Sequence, residues 1–409
     1  MKTCELVSIG NELLTGLLEE QNIAFLSQEM EKLGFTVSAA HVLPDEPEEL
    51  KKRLRHLLDT SPLVIATGGL GPTCDDNTKQ VAAELFDSSM RFDDEVASAL
   101  RYRYGDNLAT LQQQATVPSR ATVLPNGIGT APALVFEAPA ATLILLPGVP
   151  SEMKELFHSR VVPYLRANNP TNNTIYGEDL LIYSTKEQEV DPILRQLQEK
   201  SPELRINICP RPGTQWVHIS TLQADKVQAK ALVSNTINRL IQEYPDRAIA
   251  VPQGRIERAI HAQFISKQVS LSLAESCTGG DVSRRLCAIP GASGYFLGSV
   301  VSYSDDVKIH TLGVTPDSLE NYGAVSKQVA LQMAQGVRCL TGSSYGLSLT
   351  GIAGPGGATP TKPVGMVWIG WADSSGNSEA WHLQLRGGRA EVIEGSGTVA
   401  LCRLLQNIT

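Results

Sequence analysis

Val269-Ser270-Leu271-Ser272-Leu273-Ala274-Glu275-Ser276-Cys277-Thr278-Gly279-Gly280 decides how the C-terminal part of this chain is read. Val269 to Leu273 is a short apolar run that reads as a buried strand. Asp281 to Cys287, with Val282 and Leu286 in helical spacing, reads as the start of a helix. A hydroxyl, a thiol and two glycines therefore fall on a strand-to-helix turn, where the first backbone N–H groups of the helix have no partner within it. Such a turn exposes a nucleophile beside donors suited to an oxyanion.

Outward from that turn the same alternation continues. Arg255 to Lys267 and Ser326 to Cys339 have helical spacing, Gly294 to Tyr303, Tyr345 to Leu349, Gly365 to Trp371 and Ala380 to Leu385 are strand-like, and Arg389 to Leu405 closes the chain as a helix. The front of the chain alternates too. Cys4 to Ile9, Thr36 to Val42, Leu63 to Ala66, Ala133 to Phe136 and Thr142 to Leu146 read as strands, with Gln21 to Leu33 and Pro47 to Leu58 as helices. That pattern implies a doubly wound α/β sheet with its site beyond the strand carboxyl ends. Asn168 to Asn173 is a polar linker candidate. Beyond it, Thr174 to Tyr183, Val190 to Glu199, Arg205 to Ile208, Val217 to Leu222 and Val227 to Tyr244 suggest a small α+β module with no compact catalytic cluster, read as a spacer or dimerisation element. The expected division is 1–168, 169–251 and 252–409.

The chain has 409 residues, 42% of them hydrophobic and 19% charged, which is ordinary for soluble globular protein. A net charge of −8 disfavours a nucleic-acid surface. No stretch is apolar and long enough to span a bilayer, and no basic leader with an apolar core is visible at Met1 to Glu5. Cys4, Cys74, Cys209, Cys277, Cys287, Cys339 and Cys402 are odd in number and scattered, which fits reduced thiols in a cytoplasm rather than disulfides or a zinc site.

The turn at Ala274 to Gly280, the segment Val301-Ser302-Tyr303-Ser304 with Lys308, Gly323 to Ser326, the glycine-rich Thr350 to Gly357 and Lys362 to Gly365 together resemble the CinA family, whose C-terminal unit is of the nicotinamide-nucleotide amidase type. The resemblance implies hydrolysis of the carboxamide of nicotinamide mononucleotide to nicotinate mononucleotide and ammonia, without a cofactor. A Ser276–Lys308 pair would be assisted by Tyr303. Ser276 would attack the amide and Lys308 would take its proton and return it to the departing ammonia. Backbone N–H groups of Thr278, Gly279 or Gly280 would hold the oxyanion. Thr278, Thr350, Gly351 and Gly354 would contribute to a phosphate site, with Arg389 as its clamp; Gly388 stands where the family has an aspartate. Two plainer readings stand beside this one: Ser276 as a helix N-cap and Cys277 as the nucleophile.

At the front of the chain, Thr67-Gly68-Gly69-Leu70-Gly71-Pro72-Thr73-Cys74-Asp75-Asp76 directly follows a strand. Gly10 to Gly16, Pro44-Asp45, Pro125-Asn126-Gly127 and Leu146 to Pro150 are further loop candidates. This set is similar to the molybdopterin-binding (MoaB/MogA-like) fold found at the front of CinA proteins, and the middle module is expected to be KH-like. The resemblance implies cleavage of ADP-ribose with a divalent cation (Mg, Mn or Co). Glu12, Asp45, Asp75 and Asp76 would be metal or water-positioning carboxylates, and Asn22, Asn126, Gly68, Gly69 and Gly71 substrate contacts. Glu20-Gln21-Asn22 replaces the usual Asp-Thr-Asn. A bare tight turn at Gly68-Gly69 and helix capping by Asp75-Asp76 are the plainer accounts. A homodimer is expected, as is a rival, non-enzymatic role in competence or DNA damage.

Overall fold

The computed structural model describes residues 2–73, 76–104, 108–169, 174–223 and 225–408, with the backbone alone at 103, 104, 108–110 and 174. Of the linker candidate, 170–173 lie outside the described residues. The chain forms two compact units, one of Met1–Ile175 with Leu222–Lys226 and one of Tyr176–Thr221 with Val227–Thr409.

In the first unit a six-stranded sheet runs in the order Phe35–Leu43, Lys2–Ile9, Leu63–Thr67, Thr142–Leu146, Ala133–Glu137, Thr122–Leu124. The first four strands are parallel and the last two antiparallel. Alternation along each strand fills both faces, because successive side chains point to opposite sides. Val7, Val64, Ala66, Leu143 and Leu145 meet Leu50, Leu54 and Leu57 of the helix Pro47–Thr60. Leu6, Ile65, Ile144 and Leu146 meet Leu26 and Met30 of the helix Asn22–Lys32, and Met153, Leu156 and Phe157. The doubly wound reading is therefore correct, and the sheet adds an antiparallel margin that the reading did not contain. The strand Lys2–Ile9 lies between its two successors in sequence, so its carboxyl end is a switch point of the kind where α/β sheets bind ligands.

The second unit carries two sheets. A four-stranded one has the order Leu204–Arg211, Thr214–Gln223, Thr174–Tyr183, Ala248–Ala250. It packs Leu180, Ile182, Val217 and Ile219 on Val190, Leu194 and Leu197 of the helix Glu187–Lys200 and on Val233, Ile237 and Leu240 of the helix Lys226–Glu243. The other sheet is five-stranded: Phe296–Val301, Leu271–Glu275, Tyr345–Gly351, Met366–Asp373, Ser378–Gln384. The first three strands are parallel, the rest antiparallel. Leu271, Leu273, Leu347 and Leu349 face the helices Ile256–Lys267, Asp281–Cys287 and Arg389–Ile408. Ala274 on the other face meets Val329, Met333 and Val337 of the helix Lys327–Thr341. Leu271–Glu275 is thus an inner strand, and its carboxyl end delivers Ser276 to the rim. Among the described residues, no helix is long and apolar enough to cross a membrane.

Candidate active site

The turn that carries Ser276 is held by a residue the sequence reading missed. Glu275 ends its strand fully buried. Its carboxylate accepts from the N–H groups of Gly280 (3.0 Å), Val282 (3.2 Å) and Ser283 (2.9 Å), and from the Ser283 hydroxyl. The orphan donors of the helix Asp281–Cys287 are therefore spent on an anion from the preceding strand, as helix dipole and charge-assisted bonding favour. A charged residue closing an apolar strand just before a helix was the available signal. Gly280 makes the turn at φ +99°, which strains any other residue.

This capping corrects the expected oxyanion donors. Gly280's N–H belongs to Glu275, and Gly279's N–H donates to the Ser276 carbonyl at 3.1 Å. The N–H groups of Cys277 and Thr278 donate to no other described residue. Ser276 itself is not the N-cap of this helix; Gly280 is. The Ser276 residue is 9% exposed, and its hydroxyl makes no hydrogen bond with another described residue. Thr278 is buried, and its hydroxyl has no partner among the described residues.

Lys308 lies on the helix Asp305–Leu312, which Ser304 caps by accepting from the Val307 N–H. Its side chain is 1% exposed and its ammonium donates to the carbonyls of Ser302 (2.9 Å), Tyr303 (3.4 Å) and Ser304 (3.5 Å), with Asp305 at 3.5 Å. Ser302 in turn donates its N–H to the Glu275 carbonyl at 2.8 Å, next to Ser276. Ser276 and Lys308 are thus linked through Ser302 and Glu275 and share no direct hydrogen bond in this structure.

Tyr303 is placed differently from expectation. Its ring is exposed and its hydroxyl accepts from Arg389 Nη2 at 2.8 Å, making no hydrogen bond to Ser276 or Lys308. Arg389 Nη1 donates to the Gly354 carbonyl at 3.0 Å, so one guanidinium ties the 303 loop and the glycine-rich loop to the first residue of the last helix. Thr350 donates its hydroxyl to the Ala324 carbonyl at 2.8 Å, and Gly351 abuts Val367. Burial pushes the Cys277 thiol up to about 12, against the smaller opposing pull of Arg389 and Lys308. The thiol therefore stays protonated at neutral pH and is a poor nucleophile.

In the first unit, a cavity of about 490 Å³ opens at the switch point, lined by Glu12, Asn22, Gly68, Gly69, Gly71 and Asp76 among others. A side chain at position 68 would meet the Ile9 carbonyl at 2.2 Å, so backbone approach there requires glycine. Asn22 donates to the Gly148 carbonyl at 2.8 Å, and its own carbonyl oxygen is buried with no partner among the described residues. Asn126 is spent on its own loop: it donates to the Ala131 carbonyl and Glu152 and accepts from Ile128 and Gly129. That loop-holding role replaces the expected substrate contact. Glu20 accepts from Ser8 and from the N–H groups of Asn22 and Ile23, capping the helix that follows.

Of the expected metal carboxylates, Glu12 and Asp76 line this cavity. Asp45 is held by Asn11, and Asp76 accepts from the N–H and hydroxyl of Thr73. Among the described residues no group of three or more His, Cys, Asp or Glu could hold a metal ion. Asp75 and Cys74 lie outside the described residues.

Lys79, one residue into the helix Thr78–Leu85, is 2% exposed and donates to the carbonyls of Gln113 (2.9 Å) and Thr116 (3.4 Å). Burial lowers its amine from 10.5 to about 8, with a smaller opposing effect of Asp76. Between those values the unfolded chain binds more protons than the native one, so stability rises with pH over that window, and the burial cost is felt fully below it. From pH 7.5 to 10 the first unit should gain about 2 kcal/mol relative to Lys79→Met in urea titrations; equal slopes in both proteins would refute this role.

The chain matches two families, the CinA C-terminal domain over residues 253–408 and the probable molybdopterin binding domain over residues 5–167. A CinA-like protein of Cyanothece sp. is 37% identical over 383 residues, 92% of this chain and 91% of its own length. A CinA-like protein of Dictyoglomus thermophilum is 36% identical over 90% of both chains. Among solved structures, the competence/damage inducible protein CihA of Agrobacterium tumefaciens is 36% identical, covering 37% of this chain and 93% of its own, with a TM-score of 0.37. With both domain families matched in order and relatives aligned over nearly the whole length, this chain belongs to the CinA family.

Proposed function

We propose that the C-terminal part of the second unit hydrolyses the carboxamide of nicotinamide mononucleotide, giving nicotinate mononucleotide and ammonia. The observation that carries this reading is the turn at Ser276. A hydroxyl with no hydrogen bond to another described residue sits beside the N–H groups of Cys277 and Thr278, which donate to no other described residue, and the fully buried Lys308 joins this turn through Ser302 and Glu275. Ser276 Oγ bonds to the amide carbon while its proton passes to the Lys308 amine nitrogen, and the carbonyl electron pair moves onto oxygen facing the two N–H groups. The C–N bond then breaks and nitrogen leaves as ammonia with the proton from Lys308. Water attacks the ester, returns a proton to Ser276 through Lys308 and releases the acid. Lys308 must turn from the Ser302 carbonyl to the Ser276 hydroxyl, a tightening that catalytic hydrogen bonds commonly undergo with substrate bound.

Arg389 suits the phosphate, because a guanidinium binds phosphate through two donors. Its present partners, Tyr303 and Gly354, are neutral oxygens that an anion can displace. Arg389→Ala should raise KM about tenfold or more while kcat falls less than about threefold; equal losses in both would place the phosphate elsewhere. The test of the whole reading is product analysis of the purified chain with nicotinamide mononucleotide, alongside Ser276→Ala. Absence of nicotinate mononucleotide with the unsubstituted chain would reject it.

A further inference from the structure

A second cavity, of about 640 Å³, lies in the second unit and is walled by Arg211, Arg255, Arg284 and Arg285. Two of these charges are answered locally: Arg285 pairs with Glu257 at 2.5 Å and Asp281 at 3.7 Å, and Arg284 with Asp281 at 2.8 Å. Arg211 and Arg255 make no ion pair among the described residues, and Glu394 is the remaining carboxylate on the wall. The wall therefore keeps an excess of positive charge. Arg211 is held ready, its guanidinium 4.0 Å from the Trp216 ring centre and donating to the Gly254 carbonyl at 3.0 Å. Thr214, 1% exposed, lines the same cavity with a hydroxyl that has no partner among the described residues. Leu181, Ile256, Ile289 and Ile393 add apolar lining to the same cavity.

We propose that this cavity is a ligand site, separate from the Ser276 turn, for a small organic phosphate monoester: its phosphate on Arg211, Arg255 and Thr214, its body against the isoleucines. The volume is that of a small-molecule pocket, far more than a bare phosphate fills. An arginine pair with a preorganised fork is the side-chain set that recognises phosphate. The cavity also borders the two helices, Asp281–Cys287 and Arg389–Ile408, whose first turns border the Ser276 turn and carry Arg389. Occupancy there is therefore placed to be felt at the catalytic turn, a consequence that rests on the amidase reading; the binding itself does not.

The test is calorimetric titration of the full chain, in a Ser276→Ala background, with AMP and separately with inorganic phosphate. AMP should bind, with its affinity reduced about tenfold by Arg255→Ala and about a hundredfold by Arg211→Ala with Arg255→Ala. Inorganic phosphate should bind at least tenfold more weakly than AMP. Arg255 is exposed and makes no ion pair, so its single variant keeps the test valid should the double variant unfold. Any AMP heat from the 490 Å³ cavity of the first unit stays constant across these variants and is subtracted. AMP binding unchanged by Arg255→Ala and by the double variant, no AMP binding at millimolar concentration, or phosphate binding as tightly as AMP would each overturn the proposal. Because no turnover is measured, an inactive amidase would leave the result unaltered.

Discussion

Ser276→Ala should cut ammonia release from nicotinamide mononucleotide by at least about 10³-fold, while Cys277→Ala changes it less than about fivefold. The two neighbours share a turn, so position alone does not separate them; environment does. Cys277 is 6% exposed within the apolar cluster that includes Leu273, Val282 and Leu349, and burial holds its thiol up at about 12. A thiol in that state offers almost no thiolate near neutrality, which removes the intrinsic advantage of sulfur over oxygen. Ser276 has a hydroxyl with no hydrogen bond to another described residue, and next along the chain are the Cys277 and Thr278 N–H groups, which donate to no other described residue. Iodoacetamide should accordingly leave activity intact under conditions that modify the exposed Cys209, Cys287 and Cys339. Inactivation by the alkylator that substrate prevents, or an active Ser276→Ala protein, would transfer the role to sulfur.

The alternation of strand and helix was legible because burial imposes periods of two and 3.6 on the sequence. Thr142–Leu146 and Asp281–Cys287 have the bounds that their apolar spacing predicts, and most other elements agree within a few residues. The helices Asp305–Leu312 and Pro316–Tyr322 were not anticipated, because their apolar residues form no clear stripe. Their signals were at the ends: Ser304 and Thr315 accept from the backbone three residues on, and Gly313 follows the first helix in the left-handed region. Side-chain partners were less legible still. That Tyr303 would face Arg389, or that Asn126 would spend itself on its own loop, depends on contacts across long stretches of chain and on the choice among rotamers. Loop composition names the residues that could converge, and only packing decides which of their atoms are already taken.

Glu275 is the sharpest case of an atom already taken, and its substitution should produce the largest stability loss in the second unit. Glu275→Ala leaves the N–H groups of Gly280, Val282 and Ser283 and the Ser283 hydroxyl facing a buried void. Stranding several buried donors at once should cost about 3–5 kcal/mol. Glu275→Gln keeps the shape but turns an amide N–H₂ toward donors that a carboxylate oxygen accepted, so about 1–3 kcal/mol is expected. The contrast between the two isolates the charge from the packing. Both variants should also lower kcat more than they raise KM, because the capped turn fixes where the Ser276 hydroxyl stands, not where the phosphate is held. Urea unfolding with separate probes for the two units tests the first claim, with the loss confined to the second unit. A Glu275→Ala protein within about 1 kcal/mol of the unsubstituted chain would mean that water satisfies the helix start, and that the turn presenting Ser276 is set by its glycines alone.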